Sequence, residues 1–418
     1  IDKTGLIGLI NKTISTKNKL NCVSRPRRFG KSYAAQMLCA YYDASCDSHA
    51  LFDDKEIAGS EDYLTHLNQY HVINLDITGF VSEVKRSQRE LSAVPNLIVE
   101  SIQEELLQMY PGSGKKNLTD QLLYCVEQTG RRFIFVIDEW DSIMRESRDD
   151  HQGIRQYFNF LRNLFKDNRF TALAYMTGIL PIKKYGTQSA LNMFTEISMT
   201  EADEFAPYMG FTAAEVKNLC RQIKLLKSAN SDAAKNDRIP AKKAVSFTKM
   251  KTWYDGYTLR KKNGEPIAVY NPNSVMRAAR EGDFDSYWEQ SSAVYSALEY
   301  INLDFDGLGE AVEKLTAGLE VPVQTKKFKN DLVSFESADD VLTLLVHFGY
   351  FTYDSEKQSI RIPNYEIMTE FAGMVHRVSH KETMVRLKES EQLLKDIIAG
   401  NGDAVAANIQ NVHMRESA

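Results

Sequence analysis

Up to about Thr200 the chain alternates short apolar runs with stretches of helical apolar spacing. Leu20–Ser24, His71–Thr78, Phe133–Asp138 and Phe170–Thr177 read as strands, several of them nearly continuous in apolar residues. Between them, Ser32–Tyr42, Glu83–Met109, Leu118–Gln128 and Ile154–Lys166 carry the spacing of amphipathic helices. That alternation predicts an α/β fold, a parallel sheet covered by helices on both faces. Past Thr200 the rhythm changes. Phe205–Leu226, Pro272–Glu281 and Tyr287–Tyr300 read as helices, with a polar, basic stretch without period over Ser228–Lys251. From about Gly307 a smaller unit follows: helix Ala338–Phe348, short strands Tyr350–Tyr353 and Ser359–Pro363, then helix Val378–Ile398. Helix followed by β-hairpin matches the second half of a winged-helix domain. The predicted units are a core over 1–203, a helical lid over 204–305, and a winged-helix-like unit with C-terminal helix over 306–418.

The sharpest chemistry sits between the first strand and the first helix, in Arg25-Pro26-Arg27-Arg28-Phe29-Gly30-Lys31-Ser32. A phosphate cradle needs inward-turned backbone N–H groups, a close-approach glycine and a helix N-terminus aimed at the anion. It also needs a lysine for the β- and γ-phosphates and a hydroxyl for Mg²⁺. Gly30, Lys31 and Ser32 supply these, although Arg25 stands where the usual first glycine would be. The expected nucleotide-contacting residues are Arg25, Pro26, Arg27, Arg28, Phe29, Gly30, Lys31, Ser32 and Tyr33. Arg25, Arg27 and Arg28 either steady phosphates or pair with acidic groups of a neighbouring unit.

The strand Phe133–Asp138 ends in Asp138-Glu139, the position at which a Walker B aspartate holds the Mg²⁺ shell and a glutamate polarises water. Ser32 and Asp138 are thus the candidate metal ligands; Glu139 and Lys31 are candidate catalytic residues. Thr177 joins them as a γ-phosphate sensor if its strand lies between the other two; otherwise it only ends a strand before a turn. Asp76 and Asp141 fit structural roles better, one ending the second strand and the other capping a helix.

Composition narrows the function classes. Of 418 residues, 43% are hydrophobic and 26% charged, which excludes a disordered or collagen-like chain. The net charge of −5 advertises no nucleic-acid partner. No apolar run is long enough to span a bilayer, so no membrane contact is expected. Cys22, Cys39, Cys46, Cys125 and Cys220 show no metal-ligand spacing and read as reduced thiols of a cytoplasmic protein.

These motifs together resemble the bacterial AAA-ATPase-like family, whose members often continue into a PD-(D/E)XK nuclease domain. The resemblance rests on Asp2-Lys3-Thr4 with Ile7, Arg25–Ser32, Leu51-Phe52, Val72–Asp76, Val136–Asp141, Thr177-Gly178-Ile179 and Gly210–Val216. Trp253–Tyr257, Tyr270–Ser274, Gly349-Tyr350 and Ile362-Pro363-Asn364 extend it over nearly the whole chain. Trp140 stands where the family carries tyrosine, and Asn273 where it carries tryptophan. The resemblance implies a Mg²⁺-dependent ATPase with ATP and Mg²⁺ as cofactors, driving or gating an effector module. DNA or another protein is a further expected partner, and an oligomer is compatible with these features. A nucleotide-gated switch with little turnover is the competing expectation, and DNA binding through Lys357 and Arg361 of the hairpin is a third. Without an initial methionine, the chain reads as a fragment that stops short of the effector. The aromatic Trp253–Tyr257 stretch reads either as a turn packed on the core or as an adenine platform.

Overall fold

Leu20–Ser24 (β1), His71–Asp76 (β2), Phe133–Asp138 (β3), Thr171–Gly178 (β4) and Thr195–Ile197 (β5) form one five-stranded sheet. Its order is β2-β3-β4-β1-β5 and every pairing is parallel. The computed structural model describes residues 1–114, 117–146, 150–182, 191–231, 245–288, 294–328, 335–373, 401–402, 405–406 and 410. The expected helix Val378–Ile398, and Lys235, Arg238, Lys242 and Lys243 of the basic stretch, lie outside them. β1 and β4 are buried at every position, and β3 at every position but Asp138. A strand flanked on both faces has no solvent side to mark with polar residues, hence the continuous apolar runs.

Several elements differ from the sequence expectation for identifiable reasons. The second strand stops at Asp76 because its carboxylate accepts the Thr78 amide at 3.0 Å and caps helix Ile77–Arg86. The expected long helix Glu83–Met109 is two helices, Ile77–Arg86 and Val94–Met109. Pro95 belongs in a first turn, where its missing N–H costs nothing; inside a continuous helix it would break the ladder. Phe205–Leu226 likewise divides into a 3₁₀ turn, Asp203–Tyr208, and helix Ala213–Ser231, with Phe211–Thr212 (β6) between them.

The middle of the chain also holds strands that were not expected. Tyr257–Arg260 (β7) and Pro266–Tyr270 (β8) form an antiparallel hairpin with β6 on its outer edge, so this region is not purely helical. The Asn263-Gly264 dipeptide is its sequence signal; in the structure Gly264 is left-handed at φ 86° and burial alternates along β7. Helix Pro272–Glu281 begins as expected, with Asn271 accepting the amides of Asn273 and Ser274.

In the C-terminal region helix Ala338–Phe348 is capped by a reciprocal Ser337–Asp340 box and ended by left-handed Gly349. Thr352–Asp354 (β10) and Ser359–Arg361 (β11) follow as a hairpin, and Val321–Pro322 (β9) adds a third strand. This region is fastened to the middle one by polar and close backbone contacts. The Thr258 amide donates to Thr352 Oγ1 at 2.9 Å, and Arg260 pairs with Asp354 at 2.9 Å. Gly256, at φ 107°, lies so close to the chain that a Cβ would stand 1.8 Å from the Pro363 carbonyl oxygen. Of the two hairpin cations, Lys357 pairs with Glu320 at 2.9 Å and Arg361 donates to the Gly256 carbonyl at 3.0 Å.

Glu366 lies at the same junction, fully buried, accepting from Ser274 Oγ at 2.9 Å and the Tyr287 amide at 2.8 Å. Burial raises its pKa to about 7, against the lowering effect of those two donors. A carboxyl whose folded pKa exceeds its unfolded one adds stability at low pH and loses it as pH rises toward 7. Glu366→Gln keeps an acceptor toward the Tyr287 amide and turns toward Ser274 an amide that its hydroxyl can also bond, without the charge. We expect the variant to match wild type near pH 4.5 and to be more stable above pH 7, by up to ~3 kcal/mol. Urea titrations at both pH values check this; parallel stability curves would refute it.

Candidate functional site

β1 delivers the chain into the loop Arg25–Phe29, and Gly30 then caps helix Lys31–Tyr42. The helix buries Ala34, Ala35, Leu38, Tyr41 and Tyr42, so its inner face holds it on the sheet with its N-terminus over the strand ends. Gly30 adopts φ 80°, and a Cβ there would meet nothing within 4 Å. The glycine is needed for its left-handed backbone, not for lack of room. Arg28 is left-handed as well, at φ 68°. Such alternation curls a loop so that successive N–H groups converge.

Parallel register brings the carboxyl ends of three strands to this loop. Asp138 pairs with Asp76 on one side and with Thr177 on the other, and Gly178 pairs with Ser24. β4 therefore does lie between the loop strand and the strand ending in Asp138. Lys31 is buried and folds back, Nζ donating to the Pro26 carbonyl at 3.2 Å and lying 3.5 Å from Glu139 Oε1. Burial draws its pKa down, and the carboxylates of Glu139, Asp141 and Asp138 oppose that shift. Ser32 is exposed on the first turn, and Asp138, half-buried, accepts the Glu139 amide at 2.9 Å. Glu139 itself sits at φ 51°, a left-handed conformation that a non-glycine residue holds only at a cost of order 1 kcal/mol. Thr177 is fully buried, and its hydroxyl donates to the Val23 carbonyl at 2.9 Å.

Beyond Glu139 the charges continue inward. Arg145, from helix Ser142–Glu146, pairs with Glu139 Oε2, and its Nε lies 3.1 Å from Asp141 Oδ2. The same Asp141 oxygen accepts the amides of Ile179 at 3.0 Å and Leu180 at 2.8 Å. Burial works against the guanidinium charge, but Asp141 and Glu139 outweigh it and raise the Arg145 pKa. Asp141 thus ties the segment after β4 to the segment after β3. Arg145 was not anticipated; its signal was the i,i+4 spacing from Asp141 just past an Asp-Glu pair.

Other expected contact residues turn elsewhere. Arg25 donates from Nη1 to the Tyr208 carbonyl at 2.9 Å and from Nη2 to Tyr175 Oη at 3.2 Å. Pro26 abuts Gly349, where a Cβ would stand 2.8 Å from the proline Cβ. Phe29 packs edge-on against Tyr257, with centroids 5.1 Å apart, and Tyr257 Oη donates to the Gly349 carbonyl at 2.7 Å. These three side chains grip the protein, and it is their backbone that belongs to the loop. Arg27 is half-buried, Arg28 is exposed, and Tyr33 stands 82% exposed on the first helical turn. In the aromatic stretch, Trp253 packs edge-on against Tyr365, with centroids 4.7 Å apart, and Tyr254 stacks near Phe284.

A five-stranded, all-parallel sheet with a lysine-bearing loop at its carboxyl ends is consistent with a P-loop-like α/β fold. Residues 1–187 match the model of a family described as Predicted AAA-ATPase, a similarity that suggests nucleotide binding. No curated protein matches the chain significantly. Among the described residues no helix is long and apolar enough to cross a membrane.

Gly178 closes β4 where a Cβ would stand 2.6 Å from Asp141 Oδ1 and 2.7 Å from Trp140 Cδ1. Both neighbours are fully buried, so neither can yield without disturbing the core. Gly178→Ala should lower unfolding free energy by roughly 1–3 kcal/mol. Chemical denaturation tests this, and an unchanged midpoint and slope would remove the steric argument.

Proposed function

We propose that the chain binds ATP with Mg²⁺ at the loop Arg25–Ser32 and hydrolyses it. The observation that carries this reading is the meeting of Lys31 with Glu139, 3.5 Å apart, where β1, β3 and β4 end together. The converging loop amides and the helix N-terminus suit an anion, and Lys31 adds a charge for the β- and γ-phosphates. Ser32 and Asp138 offer two oxygen ligands, a set that suits an ion retaining most of its water. Mg²⁺, when bound, would neutralise charge developing on the transferred phosphoryl group. Glu139 would accept a hydrogen bond from the attacking water and orient it. Thr177 enters as a sensor only if its hydroxyl leaves the Val23 carbonyl; its other role is to join β4 to β1.

We also propose three units with boundaries near 203 and 305, the last a winged-helix-like module. Pro26 and Phe29 rest on Gly349 and Tyr257 of the later units, which favours a second reading: a nucleotide-gated switch that passes loop movement to a partner or effector. DNA as that partner gains nothing from the hairpin, whose Lys357 and Arg361 are engaged within the chain.

Lys31→Ala should weaken ATP binding roughly 10–100-fold, the worth of a charge-assisted hydrogen bond. Glu139→Gln should still bind ATP but lose turnover by ~10²-fold or more. Steady-state phosphate release, with and without DNA, and nucleotide titrations separate the readings. Binding without turnover by wild type would select the switch, and unimpaired hydrolysis by Glu139→Gln would remove that residue from the mechanism.

A further inference from the structure

Glu139 is shared by two cations, and the arrangement has a direction. Lys31 Nζ lies 3.5 Å from Oε1, while Arg145 holds Oε2. Arg145 is itself fixed from behind by Asp141, whose Oδ2 is anchored by the Ile179 and Leu180 amides. Among the described residues Lys31 has, beyond Glu139, one anchor, the Pro26 carbonyl at 3.2 Å. Of the two partners, Lys31 is the one a phosphate can draw away.

We infer that Arg145 is a positioning residue for Glu139, and that Lys31 masks Oε1 of this glutamate until a nucleotide phosphate takes the amine. The inference rests on the nucleotide-binding reading above and deepens it. Without nucleotide, both carboxylate oxygens are engaged. When Lys31 moves to phosphate, Oε1 is exposed toward the site while Arg145 keeps Oε2, so the carboxylate gains a free lone pair without losing its orientation. The charge series Lys31, Glu139, Arg145, Asp141 alternates in sign, and removing one member shifts the load onto its neighbours. The strained backbone of Glu139 is consistent with a residue held in place by its partners.

The consequences are opposite for substitutions at Glu139 and at Arg145. Glu139→Gln removes the competitor for the amine and should tighten ADP binding several-fold, ~3–10. Arg145→Gln leaves Glu139 to Lys31 alone and should weaken ADP binding by a similar ~3–10-fold. In the Glu139→Gln background the Arg145 substitution should change ADP affinity far less, because the carboxylate that couples it to Lys31 is gone. Turnover adds a second readout: Arg145→Gln should lower kcat roughly 10–100-fold, beyond its effect on ADP affinity, as a misplaced water-orienting group does. Arg145→Lys preserves the charge but not the fork that reaches both carboxylates, so it should give the same pattern at smaller size and serves if the glutamine variant does not fold.

The test is a double-mutant cycle at positions 139 and 145, read by fluorescent ADP titration, with thermal unfolding of each variant as the control. Equal loss of ADP affinity from the Arg145 substitution in both backgrounds would mean a merely structural residue and overturn the inference. So would wild-type ADP affinity and kcat in both Arg145→Gln and Arg145→Lys. If wild type binds ADP but does not turn over ATP, the hydrolase reading falls by itself, and the ADP cycle still decides whether Arg145 governs the Lys31–Glu139 pair.

Discussion

A tightly curled loop with one glycine, Arg25–Ser32, must put its side chains somewhere, and the rest of the molecule is arranged around that requirement. Arg25, Pro26 and Phe29 occupy positions where smaller residues would let the backbone curl freely, and all three are buried. If their backbone is to face an anion, their side chains must leave by the opposite face. There they meet Tyr208, Tyr175, Gly349 and Tyr257. Two glycines on later segments belong to this grip: a Cβ at Gly349 would overlap Pro26, and one at Gly210 would reach the Phe29 ring at 3.5 Å while standing 2.7 Å from the Tyr270 carbonyl. The loop is thus a floor whose underside is built by the middle and C-terminal regions.

That constraint gathers motifs scattered through the chain. Asp255-Gly256-Tyr257, Tyr270–Ser274, Gly349-Tyr350 and Ile362-Pro363-Asn364 are remote in sequence and share one junction. Gly256 meets the Pro363 carbonyl, Tyr257 Oη reaches Gly349, and Ser274 bonds Glu366 just beyond Asn364. The buried cluster that lines the sheet continues without a break into the C-terminal helix and hairpin. A second, smaller cluster around Val216, Met250, Tyr254 and Tyr270 lies apart from it. A packed interior passes displacement on rather than absorbing it, so movement of Phe29 has somewhere to go.

How much of this was legible in the sequence depends on the range of the interaction. The ends of β1, β3 and β4, helix Lys31–Tyr42 and helix Ala338–Phe348 follow from periodicity and capping within a few residues and appear within a residue of where pattern places them, whereas β2 and the C-terminal hairpin strands differ by two. The helix break before Val94 was written in Pro95 but masked by continuous apolar spacing on either side. The β7–β8 hairpin carried an Asn-Gly turn, yet its short strands lacked the length that makes alternation stand out. Lys31, Asp138 and Glu139 could be put forward as candidates because a phosphate site would constrain residue types at fixed local spacing, and the strand register brings them to one end of the sheet. Where Arg25 and Phe29 point could not, since their partners lie well over a hundred residues away and only the tertiary register joins them.

Arg145 shows why a charge constellation is harder to read than a motif. Its two carboxylate partners, Glu139 and Asp141, both follow β3, and they are met in turn by Lys31 of helix Lys31–Tyr42 and by the Ile179 and Leu180 amides after β4. Asp141 illustrates the point: by local logic an aspartate before Ser142 caps the following helix, whereas here it spends its oxygen on the amides of Ile179 and Leu180. Two backbone donors and a buried guanidinium offset the desolvation of that carboxylate better than an exposed cap would need to. Asp141 is buried because Gly178 leaves room for it, and it fixes Arg145, which in turn orients Glu139. The Thr177-Gly178 pair at the end of β4 therefore acts on the site less through the threonine hydroxyl, which is engaged with β1, than through the glycine beside it.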